Sequence, residues 1–103
     1  MDYGLTETQQ EISALAYQLG QQKIKPVREQ YDNSEEFPWP LVEEFRKADL
    51  FGVYLPEAYG GLGGNLTELV LVIEQLSRAC GGIALSLAGT SLGTIAIILF
   101  GNA

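Results

Sequence analysis

Apolar residues recur at helical spacing along most of this chain, and no convincing run alternates with period two. Thr6-Glu7-Thr8-Gln9 reads as a capping box, with Thr6 as N-cap and Gln9 reaching back. Ile12, Leu15, Ala16 and Leu19 follow as one helical stripe, continued by Ile24, Val27 and Tyr31, so a long helix is expected to about Gln30. Pro26 lacks a backbone donor and is expected to bend that helix or split it near Lys25. Pro40 suits the first position of a second helix, with Glu43 and Glu44 in its first turn and Arg46 and Lys47 in its last, as the helix dipole favours. Leu41, Phe45 and Ala48 form its apolar face.

The stretch LPEAYGGLGGN concentrates glycine and proline and is expected to be an ordered loop. No G-x-G-x-x-G register fits it and no strand precedes it, so it is not a dinucleotide-binding fingerprint. Asn65 with Glu68 makes a second capping box, and Leu66, Leu69, Val70, Ile73 and Leu76 predict the stripe of a third helix that stops at Cys80-Gly81-Gly82. A fourth helix is expected from Ile83 to about Gly89 and a fifth from about Ser91 to Phe100, with a break around Gly89 to Gly93. The class is therefore all-α, a single domain over residues 1–103 with four to five helices.

The motif Gly89-Thr90-Ser91-Leu92-Gly93 fits G-x-S-x-G, the nucleophile elbow of α/β hydrolases. That reading fails because a helical pattern precedes Ser91 and the chain contains no histidine to serve as its base. The run from Ala79 to Ala103 carries no charge and is long enough to cross a bilayer. Its hydroxyls and glycines dilute it, however, and neither a basic cluster nor an aromatic belt flanks it. It is expected to be a buried wall on which the amphipathic helices pack, not a transmembrane segment.

Composition narrows the function. A net charge of -7 with six Lys+Arg disfavours nucleic acid and anionic membranes as partners. One cysteine and no histidine exclude a disulfide framework, the ordinary zinc sites and any histidine-based catalysis in this chain, so no metal is expected. The acidic start MDYGLTETQQ has neither the basic nor the apolar region of a leader, so a cytoplasmic location is expected. The sequon at Asn65 is accordingly read as a helix cap and not as a glycan site.

PEAYGGLGG, EQLSRACGG and the SLG…FGN ending, in this order and spacing, resemble the amino-terminal helical domain of the acyl-CoA dehydrogenases. The resemblance runs from Leu5 to Asn102. It implies a fragment of a longer flavoenzyme whose middle β domain and carboxy-terminal helical domain are absent from this chain. In such enzymes FAD lies mainly between those two domains. A carboxy-terminal base removes the proton next to the thioester carbonyl, and the neighbouring carbon passes hydride to the flavin. The resemblance therefore implies no catalytic and no cofactor-binding residue here, and a fragment inactive alone. For the intact enzyme it implies an acyl-CoA substrate, an electron-transfer flavoprotein as partner and a homo-oligomer. Acyl-CoA oxidases, related flavin monooxygenases and nitroalkane oxidases share the architecture and stay open as alternatives. A free-standing helical module binding lipids or a protein is a further alternative.

The resemblance places the acyl-tail wall at Ala84, Leu85, Ala88 and Leu92, whose spacing falls on one broad helical face. Where relatives acting on glutaryl-type substrates carry an arginine, this chain has Ile83, which disfavours a dicarboxylate. Where the medium-chain branch carries a glutamate, it has Ala88.

Overall fold

The computed structural model describes residues 4–101, so the outermost residues of the predicted 1–103 domain lie outside the described residues. Helix α1 (Glu7–Leu19) opens on the predicted capping box: Thr6 accepts from the Gln9 amide at 3.1 Å, and Gln9 Oε1 accepts from the Thr6 amide at 3.0 Å. The helix then widens into a π-turn, Gly20–Ile24, and breaks before α2 (Arg28–Ser34). The predicted split near Lys25 is thus present, and it has a steric cause. A proline ring clashes with the carbonyl four residues back in a regular helix, and the wider turn relieves that clash. The Lys25 amide accordingly donates to the Gly20 carbonyl, five residues back.

Helix α3 (Trp39–Lys47) begins one residue before Pro40 and buries Leu41 and Phe45. Its first turn holds no acidic residue. Glu43, expected there, sits one turn further on, where Arg46 Nε donates to Glu43 Oε1 at 2.9 Å and holds its carboxyl below the ordinary range. Two 3-10 turns, Leu50–Gly52 and Glu57–Tyr59, carry the chain into the glycine loop. That loop is ordered by its own backbone, and Gly61 is packed so closely that a Cβ there would lie 2.2 Å from the Leu55 carbonyl oxygen.

Helix α4 (Leu66–Ala79) starts on the predicted Asn65–Glu68 box and buries Leu69, Val72, Leu76 and Ala79. Leu66 and Val70, expected in its buried stripe, are exposed. The stripe is rotated because α4 packs mainly on α1. The two helices run parallel: their capping boxes touch at one end, and at the other Gly20 faces Ala79 so closely that a Cβ would meet it at 3.3 Å.

Cys80, in an extended conformation, separates α4 from α5 (Gly81–Phe100). Here the expectation of two short helices is corrected, because α5 is continuous through Gly89 and Gly93. Each interior glycine costs about 1 kcal/mol relative to alanine. A twenty-residue helix anchored by Ile83, Ala84 and Leu87 in the core absorbs that cost. The wall is buried on one face only, at Ile83, Ala84, Leu87 and Ser91. Only 22 % of the most apolar window of α5 is buried, and by length and composition this helix could cross a membrane. Among the described residues there is no strand, and the core joins Ala16, Ile24, Phe45, Val53, Leu76 and Leu87 with their neighbours.

Candidate functional site

The candidate site is the outward face of α5. One helical step is about 100°, so residues seven apart return to nearly the same bearing. Leu85, Leu92 and Leu99 follow that interval and are exposed to 62 %, 66 % and 65 %. Half-buried Ala88 and exposed Gly89 lie between the first two, and exposed Ala96 between the last two. The result is a strip of leucines separated by small residues along one side of the helix.

The predicted wall residues do not all stand on this strip. Leu85, Ala88 and Leu92 do, whereas Ala84 is 1 % exposed and belongs to the core beneath it. Ile83 is also buried, on the opposite edge from Leu85. Leu99 and Ala96 extend the strip and were missed because α5 was expected to break. The seven-residue interval of the three leucines was the signal that could have found them.

Chemically the strip is an apolar surface without ionisable side chains. α5 has no charged side chain and no thiol. Its flanking hydroxyls are spent on its own backbone: Ser86 Oγ donates to the Ile83 carbonyl at 2.7 Å, Thr90 Oγ1 to Ser86 at 3.1 Å and Thr94 Oγ1 to Thr90 at 3.0 Å. Ser91 lies in the middle of the helix and is buried on its inner face, not at a strand-to-helix turn. The nucleophile reading of the G-x-S-x-G motif is therefore excluded by its geometry.

The glycine loop offers no phosphate cradle either. The amides of Gly61, Leu62, Gly63 and Gly64 donate to the carbonyls of Pro56, Gly52, Leu55 and Val53 at 2.8–3.1 Å. Backbone donors already engaged cannot hold a pyrophosphate. Among the described residues no group of three or more His, Cys, Asp or Glu could hold a metal ion. A cleft of about 480 Å³ does open between Leu55, Pro56, Tyr59 and the last turns of α5 at Thr94, Ile97 and Ile98. It lies on the other flank of the helix, with Thr94 about 160° around from Leu92, so it is separate from the leucine strip.

Comparison with known proteins gives the strip its context. Residues 6–103 match the family model described as acyl-CoA dehydrogenase, N-terminal domain. The chain is 34 % identical to a probable medium-chain specific acyl-CoA dehydrogenase of Caenorhabditis briggsae, over 99 % of this chain and 25 % of that protein. It is 36 % identical to a 3-sulfinopropanoyl-CoA desulfinase of Paraburkholderia xenovorans, over 94 % of this chain and 25 % of that protein. Its fold superposes on butyryl-CoA dehydrogenase of Megasphaera elsdenii with a TM-score of 0.90 and 31 % identity, covering 99 % of this chain and 28 % of that one. The chain thus spans about a quarter of the length of the relatives it matches. With the helical fold and the sequence match agreeing over nearly its whole length, the chain belongs to the acyl-CoA dehydrogenase family and is its amino-terminal helical domain.

Proposed function

We propose that this domain forms one side of the acyl-tail cavity in an FAD-dependent enzyme that dehydrogenates acyl-CoA thioesters between the α and β carbons. The observation that carries the reading is the strip Leu85, Ala88, Leu92: apolar, outward-facing and left uncovered by the domain's own core. An acyl tail binds by burying methylenes, each contributing about 0.8 kcal/mol, against a surface that asks for no hydrogen bond. Ala84 acts from beneath, supporting the helix from the core.

The amides of the glycine loop are engaged by its own carbonyls, and Ser86, Thr90 and Thr94 donate to the backbone of α5. Flavin binding and the base are assigned to the three quarters of the relatives' length that this chain does not span. The same proposal includes an electron-transfer flavoprotein as partner and a homo-oligomer, which rest on the family resemblance, and a cytoplasmic location. The experiment is to express the full-length protein and follow reduction of an artificial electron acceptor with straight-chain acyl-CoA thioesters. Turnover is expected with the full-length protein and none with residues 1–103 alone. No turnover of any acyl-CoA by flavin-loaded full-length protein would overturn the reading.

A further inference from the structure

We infer that Arg28 is a positioning residue: by holding the Ala79 carbonyl it fixes the corner from which α5 departs, and with it the place of Leu85, Ala88 and Leu92 along the acyl lane. This rests on the proposed cavity role and adds a residue that acts on the tail from a distance.

The corner between α4 and α5 is one residue long. The Cys80 amide donates to the Leu76 carbonyl at 3.1 Å as the last bond of α4, and the Ala84 amide donates to the Cys80 carbonyl at 3.0 Å as the first of α5. Cys80 itself is extended, with φ -165° and ψ 116°, so the chain changes direction there. The next two residues, Gly81 and Gly82, add little restraint. A Cβ at either would meet nothing within 4 Å, and glycine leaves the backbone more freedom than other residues do. Farther on, Ile83, Ala84 and Leu87 seat the helix in the core. Apolar contact is non-directional, so it holds α5 down without setting its bearing.

Arg28 supplies the directional tie. Its Nη1 donates to the Ala79 carbonyl at 2.9 Å, and a cation is favourable at the carbonyl end of a helix. Ala79 is 3 % exposed, so water is a poor substitute for that donor. Asp32, Glu35 and Glu36 line the same cleft as Arg28, yet the one ion pair among the described residues is Arg46 with Glu43. The chain before Arg28 aims it: Gly20 packs against Ala79, the π-turn follows, and α2 restarts at Arg28 beyond Pro26.

Leverage carries the corner to the tail. At about 1.5 Å per residue, Leu92 stands about 18 Å along the helix from Cys80, and a tilt of about 5° displaces it by about 1.5 Å. Leu85, nearer the corner, moves by about 0.7 Å under the same tilt. Long tails that reach Leu92 therefore depend on the corner more than short ones do.

The test uses the flavin-loaded full-length protein as wild type, Arg28→Met and Arg28→Lys. Both kcat and KM are measured for straight-chain acyl-CoA thioesters of increasing length, with thermal melts in parallel. Arg28→Met keeps the apolar stem and removes the donor. Its KM for the longest thioester that the wild type accepts is expected to rise about tenfold relative to the shortest, since misplacement by about 1 Å costs up to about 100-fold. The change should fall on KM more than on kcat, the mark of lost tail binding. Arg28→Lys keeps a cation and a donor and is expected to recover most of the ratio. Should Arg28→Met fail to fold, Arg28→Gln replaces it. A lower melting temperature with the length profile unchanged, or with equal loss at every length, would show a structural tie alone and overturn the inference. Failure of the wild type with every acyl-CoA is a separate outcome, one that overturns the cavity role and this inference with it.

Discussion

Gln9 Nε2 donates a hydrogen bond to Glu68 Oε1 at 3.2 Å, and each residue is at the same time the reciprocal member of a capping box. The amino ends of α1 and α4, 59 residues apart in sequence, are therefore joined through the groups that start both helices. Together with the close approach of Gly20 to Ala79, this sets the parallel alignment of the pair.

Gln9 and Glu68 each serve their own cap and share the hydrogen bond between the two boxes. Gln9→Ala and Glu68→Ala are each expected to destabilise the domain by about 1 kcal/mol, the usual worth of a capping interaction. The double variant should cost less than the sum of the two, because the shared hydrogen bond is lost only once. Urea denaturation of the four proteins measures this. Strict additivity would show that the two boxes act independently.

Glu68 also predicts a pH dependence. Burial raises its pKa, but hydrogen bonds from the backbone amides of Glu68 and Asn65 and from the Gln9 side chain outweigh it, and the net shift is downward. A carboxyl whose folded pKa lies below its unfolded value contributes stability above the unfolded value, about 4.3. That contribution is lost as pH falls through the lower, folded value. Glu68→Gln should flatten the fall in thermal stability below about pH 4.3 and have little effect on its slope near neutrality. An unchanged acid limb in the variant would count against the assignment.

Two glycines should respond in opposite directions to alanine. At Gly89, inside α5, a Cβ meets nothing within 4 Å, so Gly89→Ala is expected to raise stability by about 0.5–1 kcal/mol. At Gly61 the Cβ would overlap the Leu55 carbonyl, and the loop must open to admit it. Gly61→Ala is expected to destabilise by about 1–3 kcal/mol. Thermal melts of both variants suffice to check the signs.

Ala88 bears on tail length. It is half-buried on the strip one turn from Leu85 and one turn from Leu92, at the position where the family resemblance implies a glutamate in the medium-chain branch. A smaller side chain leaves a deeper lane, so the full-length enzyme is expected to take acyl chains longer or bulkier than its medium-chain relatives do. Ala88→Glu should remove the longest substrates first, by about 10- to 200-fold in kcat/KM for each methylene that no longer fits. Equal loss at every chain length would show that this position does not set the floor.

The sequence by itself determined the helical class, both capping boxes, the interruption at Pro26, the ordered glycine loop and the family. Each rests on local chemistry: a cap needs two residues three apart, and a proline lacks its donor wherever it occurs. It could not choose the buried side of α4. Leu66, Leu69, Val70, Leu71, Val72, Ile73 and Leu76 are apolar on several bearings, and only contact with α1 made Val72 internal and left Val70 exposed. Nor could it show that α5 runs unbroken. Two glycines argue for a break by propensity, and packing of Ile83, Ala84 and Leu87 into the core overrides that small cost. The candidate wall was legible as a set of apolar positions, but a helix apolar all round does not declare its inner face. Tertiary packing made the division, drawing Ala84 into the core and leaving Leu85 and Leu92 outside it, because α4, α3 and the Leu50–Gly52 turn pack against α5 while, among the described residues, Leu85 and Leu92 stay exposed.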